Sequence, residues 1–166
     1  MSNTTEVLKS PFWGVSNRVL VPALLIEVIG AVLTSLWPEF LSLGLLPRWC
    51  WLVVGLVTGG GGLWLILQAR RVLSKAQSEG RFPVDGVYLA TRNPMEAGWI
   101  FGVLPGLAFL ADSWIMLAGP VVAWSVFRDV CVAEEAVKLA RYGDSWRSYA
   151  VRVGRLVPNF AKLRRV

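Results

Sequence analysis

Histidine is absent from this 166-residue chain, and cysteine occurs only twice, at Cys50 and Cys131. Without histidine, neither a Ser-His-Asp or Cys-His triad nor a histidine metal cage can be assembled. The two cysteines lie far apart in apolar surroundings and show no CxxC spacing. That argues against a disulfide framework and against a zinc site, so no metal is expected. Acid–base work must fall to carboxylates, tyrosine, lysine or a thiol. Charge is scarce too: 17% of residues are charged and 55% hydrophobic, where a soluble domain carries about 25% charged residues. Such a chain has too little polar surface to stay in water, and it is too apolar to be disordered. Its length suits one domain, residues 1–166, and hardly two.

What is present is a set of apolar runs, over residues 19–36, 50–67, 95–111 and 114–133. At 1.5 Å per residue the first two each reach about 27 Å, close to a hydrocarbon core. Only Asp112-Ser113 separates the last two runs, so these should form a tight antiparallel hairpin. The expected fold is all-α: a polytopic integral membrane protein of about four transmembrane helices, followed by short C-terminal cytoplasmic helices. Lys and Arg outnumber Asp and Glu by 17 to 11. In so apolar a chain this marks cytoplasmic loops rather than nucleic-acid binding. Sixteen of the 17 positive charges sort to one side of the spans, the exception being Arg48. Both termini are therefore expected in the cytoplasm. A signal peptide is the competing reading of the start, but the run after Arg18 is long for one and lacks an A-x-A site. Trp13, Trp37, Trp49, Trp51, Trp99 and Trp114 fall near span ends, as interfacial anchors do.

Several features could carry chemistry. Glu27 lies mid-way along the first span, where an ionisable group costs about 3 kcal/mol and should face a partner or cavity. It could couple protons, touch substrate, or hydrogen-bond across helices. Gly55 and Gly59, within a run ending Gly59-Gly60-Gly61-Gly62, have the spacing that lets helix backbones approach. Gly98, Gly102 and Gly106 line one face that could receive another helix or a flat ligand. The second span should extend as a helix to Glu79 and stop at Gly80, with a turn at Asp85-Gly86. Pro94 should open the third helix, where its missing N–H costs nothing. A helix start beside Arg92 suits an anionic group. Beyond the fourth run, Glu134-Glu135 could hold a cation or form a solvated face. Gly143 should end that helix and Asp144 cap the next.

Two of these segments resemble a known pattern. Gly86-Val87-Tyr88 followed by Arg92-Asn93-Pro94-Met95-Glu96-Ala97-Gly98 resembles the first motif of integral membrane methyltransferases, the isoprenylcysteine carboxyl and phospholipid N-methyltransferases. Glu134-Glu135, then Tyr142-Gly143, Trp146, Tyr149, Val153, Arg155 and Pro158, is similar to their second. The resemblance covers about residues 80–160. It implies S-adenosylmethionine as methyl donor and a lipophilic acceptor, a small molecule or lipid-modified group, arriving from the bilayer. By that analogy Tyr88, Arg92, Asn93, Pro94, Gly98, Glu134 and Glu135 form the donor pocket. Glu134 orients or deprotonates the acceptor, and Arg128 supports it. The domain then divides into a cytoplasmic N-terminal segment (1–18), two spans (19–67) and a catalytic region (68–160). Two departures stand out. Glu96 replaces the family's usual aromatic, and Val130 stands where carboxyl methyltransferases place an arginine. The second weakens the case for a carboxylate acceptor and leaves an amine or another lipophilic nucleophile open. The competing functions are an NADPH-dependent membrane reductase related to sterol reductases, and a four-span transporter built on Glu27.

Overall fold

The computed structural model describes residues 17–157. The expectations for Trp13, Pro158 and the two chain ends lie outside the described residues. The chain is all-helical, with no sheet among the described residues and only isolated bridges at Ser42–Ser113 and Thr91–Gly154. Helix α1 runs Asn17–Leu36, α2 Arg48–Ser78, α3 Pro94–Leu110 and α4 Ala118–Arg152. A single helical turn, Pro38–Leu41, lies between α1 and α2.

Of the four spans expected, three are matched by helices of sufficient length and apolarity among the described residues. Three helices are long and apolar enough to cross a membrane: α1, α2, and α4 with the 3-10 turn that leads into it. The third apolar run forms a shorter apolar helix, α3, whose middle turn, Trp99–Val103, is a π-helix. Pro105 has no N–H to offer the carbonyl of Phe101, and the wide turn precedes it. At 31 residues α2 reaches about 46 Å, and α4 reaches about 37 Å before its backbone kinks at Gly143, both past a hydrocarbon core of about 30 Å. They must project from the bilayer, and they project at the end where the second motif lies.

The α3–α4 turn is tight, as its two-residue spacer required. Asp112 has φ 52° and its carboxylate accepts from the Leu43 amide at 3.2 Å. Ser113 is fully buried. Leu41 and Asp112 carbonyls accept from Trp114 and Leu43 amides across the two connections. Thr34 donates to the Gly30 carbonyl at 2.8 Å, so the 2.7 Å contact between the two hydroxyls has Ser113 as donor to Thr34. Ser113→Ala removes that donor, and should cost about 1 kcal/mol, read as a lower melting temperature in detergent.

Packing does not follow the hairpin: α4 lies mainly against α1, and α3 against α2. Glu27 is buried at the α1–α4 contact, its carboxyl resting on Gly119. Neither carboxyl oxygen has a hydrogen-bond partner among the described residues, so of the readings open to Glu27 the cross-helix hydrogen bond is not the one seen. The α2–α3 seam is made of glycine. A Cβ on Gly62 would lie 2.6 Å from the Gly102 Cα, and one on Gly106 2.6 Å from the Gly59 Cα. Gly60 and Gly61 face open space. Both glycine series thus serve helix packing.

Trp37, Trp49 and Trp114 are exposed at helix ends, as anchors would be. Trp51 instead turns inward and stacks on Phe109, with ring centroids 5.5 Å apart.

Candidate functional site

The two motifs meet at the end of the bundle away from the α3–α4 turn. Helix α2 stops at Ser78, and Gly80 follows with φ 68°. Arg81 pairs with Glu79 at 2.6 Å and with Asp85 at 2.8 Å. Gly86, at φ 55°, starts a 3-10 turn through Leu89. Phe82 is held by aromatic contact. Its ring lies 5.0 Å from Tyr142, 5.9 Å from Trp146 and 5.7 Å from Tyr149. These rings can reach it because α4 kinks at Gly143, where φ is 55° and ψ −130°. Gly143 therefore ends one helix and the next follows directly from Asp144, as their sequence suggested. Tyr149 donates its hydroxyl to the Tyr88 carbonyl at 2.7 Å. Tyr88 is itself buried, and burial pushes its phenol above the usual tyrosine range.

From there the chain runs beside its own C-terminal strap. The Arg92 and Asn93 amides donate to the Gly154 and Arg155 carbonyls at 2.9 and 3.2 Å. Thr91 donates its hydroxyl to the Arg155 carbonyl at 2.8 Å, and the Asn93 side chain does so at 3.1 Å. The Asn93 amide also approaches the Cys131 sulfur at 3.8 Å. Pro94 then opens α3 at its first position.

This strap places two guanidinium groups on one carboxylate. Arg92 Nη1 lies 2.7 Å from Glu135 Oε1, while Arg155 Nη2 and Nε lie 2.8 and 3.1 Å from Oε2. The Arg92 and Glu135 side chains are 12% and 15% exposed, and that of Arg155 is 52%. The Glu135 hydrogen bond holds the Arg155 proton more tightly than usual. One donor is left over: Arg92 Nε is buried without a hydrogen-bond partner among the described residues. Glu134 is half-buried on α4.

The residues expected to form a pocket divide by this geometry. Arg92 and Glu135 come together. Glu134 stands beside them in sequence, with no ion pair among the described residues. Tyr88, Asn93 and Pro94 are buried and fasten the scaffold. Gly98 turns its Cβ face to Gly62 and Ile66 of α2, so α2 takes up the surface it was expected to offer a donor. Arg128 is exposed on α4, with no ion pair among the described residues. Sequence reasoning gave no site role to Arg155, Thr91 or Lys138. Arg155 carried a signal, since it belongs to the second motif; Thr91 and Lys138 carried none. Lys138 is half-buried and sits over the Trp146 ring at 5.3 Å.

No protein-family model matches the chain, and no solved structure matches it. Among curated proteins, it is similar to the protein-S-isoprenylcysteine O-methyltransferase of Schizosaccharomyces pombe, at 27% identity over 147 residues. The match takes in 89% of this chain and 58% of the yeast protein, so the chain spans less than two thirds of that relative. The similarity is distant, and it is to a methyltransferase.

Proposed function

We propose that this chain transfers a methyl group from S-adenosylmethionine to a lipophilic acceptor at the cytoplasmic face of a membrane. The observation that carries the reading is the Arg92–Glu135–Arg155 cluster. It joins both motif segments at one point, where α4 leaves the apolar part of the bundle. Glu135 lies about 25 Å along α4, close to the thickness of a hydrocarbon core. Similarity to a methyltransferase supports the same reading.

The residues fit such a donor. S-adenosylmethionine brings a carboxylate, an ammonium and an electrophilic methyl on a sulfonium. The orphaned Arg92 Nε would take the carboxylate, because a buried donor without a partner costs about 1–3 kcal/mol until one arrives. Glu134 would face the positive charge. Glu135 does not contact the donor in this scheme; it fixes the Arg92 guanidinium so that Nε is presented and Nη1 is not. The aromatic cluster around Phe82 and the Thr91–Arg155 strap hold the wall of the site and keep water from it. Catalysis then consists mainly of alignment, which needs no histidine. Arg128, exposed, stands outside this constellation.

S-adenosylhomocysteine should raise the melting temperature of the purified protein and NADPH should leave it unchanged. Stabilisation by NADPH would favour a reductase, and by neither a transporter. Glu134→Ala should abolish transfer of labelled methyl into a total lipid extract while the helical signal and melting profile stay intact. Retained transfer would remove Glu134 from the site.

A further inference from the structure

Helix α2 carries a basic face that the scheme above leaves unused. The helix contains no acidic residue, and the first acid after it, Glu79, is taken by Arg81. Gly62, Ile66, Ala69 and Ala76 form its buried side. On the opposite side Gly60, Trp64, Leu67, Arg71, Lys75 and Ser78 recur every three or four residues, and all are exposed. That spacing makes one continuous stripe. Its first half is apolar, with a notch at Gly60, where a Cβ would meet nothing within 4 Å. Its second half is a shallow recess of about 630 Å³ lined by Arg70, Arg71, Ser74, Lys75 and Ser78. The side chains of Arg71 and Lys75 have no ion pair among the described residues. Arg71 stands about 35 Å along α2 and Lys75 about 40 Å. A helix that begins at one edge of a hydrocarbon core of about 30 Å therefore carries both into the opposite headgroup layer, while Trp64 and Leu67 stay among the acyl chains.

We propose that this stripe binds an anionic phospholipid, its phosphate in the Arg71–Lys75 recess and an acyl chain along Leu67, Trp64 and Gly60. The site is separate from the methyl-transfer reading and does not rest on it. A guanidinium takes a phosphodiester through two parallel hydrogen bonds, and an ammonium adds a point charge. The stripe offers no acid to receive the choline or ethanolamine cation of a zwitterionic headgroup, so the preference is for net negative charge. Free phosphate or an acidic protein could meet the recess but would leave the apolar half, which lies inside the core, untouched. A second copy would set like charges face to face. A phospholipid satisfies both halves at once. The consequence reaches beyond α2, because its last turn leads through Gly80 to Phe82, whose ring packs on Tyr142, Trp146 and Tyr149. A lipid bound here holds that end of α2 in place.

The test uses the full chain in a neutral detergent, titrated with phosphatidylglycerol or with phosphatidylcholine of the same acyl chains, and bound lipid is counted by native mass spectrometry. Phosphatidylglycerol should bind about 10-fold more tightly or better, since each basic side chain at a membrane surface is worth roughly 5-fold, and it should raise the melting temperature where phosphatidylcholine does not. The double variant Arg71→Gln/Lys75→Gln should lose most of that preference, with its helical signal unchanged. Arg71→Lys, which keeps the charge, should retain it. So should Arg48→Gln/Arg147→Gln, which lowers the net charge equally at exposed positions away from the stripe. Glycerophosphoglycerol, the same headgroup without chains, and inorganic phosphate should fail to displace the lipid. Equal binding of the two lipids, a preference that survives Arg71→Gln/Lys75→Gln, or equal losses in the two double variants would each overturn the proposal. Displacement by either soluble anion would overturn it too, by showing that the recess takes a free phosphate and the apolar half takes no chain.

Discussion

Glu135→Gln should cost far more than Arg155→Ala, although both break the same ion pair. The glutamine keeps the shape of the side chain and loses its charge, leaving Arg92, at 12% exposure, without a counter-charge. Removing one partner of a largely buried pair costs about 3 kcal/mol or more, equivalent to roughly a 100-fold loss in affinity if all of it falls on the donor-binding state. Arg155 is 52% exposed, so its side chain sits in a screened setting where a pair contributes about 1 kcal/mol or less. What Arg155 gives the fold is its carbonyl, which accepts from Thr91, the Asn93 amide and the Asn93 side chain. Alanine keeps that carbonyl. Titration with S-adenosylhomocysteine should therefore show affinity nearly lost in Glu135→Gln and only a few-fold weaker in Arg155→Ala. Equal losses would mean that Glu135 is seated by Arg155, and that Arg92 is not the residue it positions.

That contrast also shows what could be read before the fold was known. Local signals fixed local features. Gly80 ends α2, Pro94 opens α3, and Gly143 bends α4, because a positive φ or a missing N–H constrains one residue at a time. The glycine spacings implied a close helix contact, and one exists. Spacing could not show which glycines of the run face the partner, since that depends on the rotation of α2 about its axis. Arg155 reaches Glu135 from 20 residues away through a strap held at its own backbone carbonyls, and a carbonyl acceptor leaves no trace in residue type. The apolar runs also did not show that the third forms a shorter helix than the others, bounded by Pro94 and by the turn at Asp112. Glu27 was legible as an anomaly but not as a contact: its seat on Gly119 arises from the pairing of α1 with α4, which no local rule specifies.

Rotation of α2 gives the second prediction, in which neighbouring glycines answer oppositely to the same change. A Cβ on Gly62 would meet the Gly98 carbonyl, the Gly102 Cα and the Val103 amide nitrogen, the last at 2.7 Å. All three are backbone and cannot swing aside, so α3 must move off α2. Forcing extra atoms into such a seam costs about 1–3 kcal/mol for a methyl group. In lipid, where helix association relies on close packing rather than on water exclusion, little compensates for the lost contact. Gly61 faces open space, and alanine there should stabilise the helix by up to about 1 kcal/mol through its higher helix propensity. Gly62→Ala should thus lower the melting temperature in detergent while Gly61→Ala raises or preserves it, and Gly62→Leu should prevent α3 from docking. The functional consequence follows from where α3 starts. Pro94 sits about one helical turn from Gly98, whose Cβ face rests on Gly62. Displacing that contact shifts the first turn of α3 against the Glu134–Glu135 segment of α4. Gly62→Ala should therefore lose methyl transfer at temperatures where it is still folded, and Gly61→Ala should not. Comparable activity in the two variants would mean that α3 is held in place by the Thr91–Arg155 strap rather than by the glycine seam.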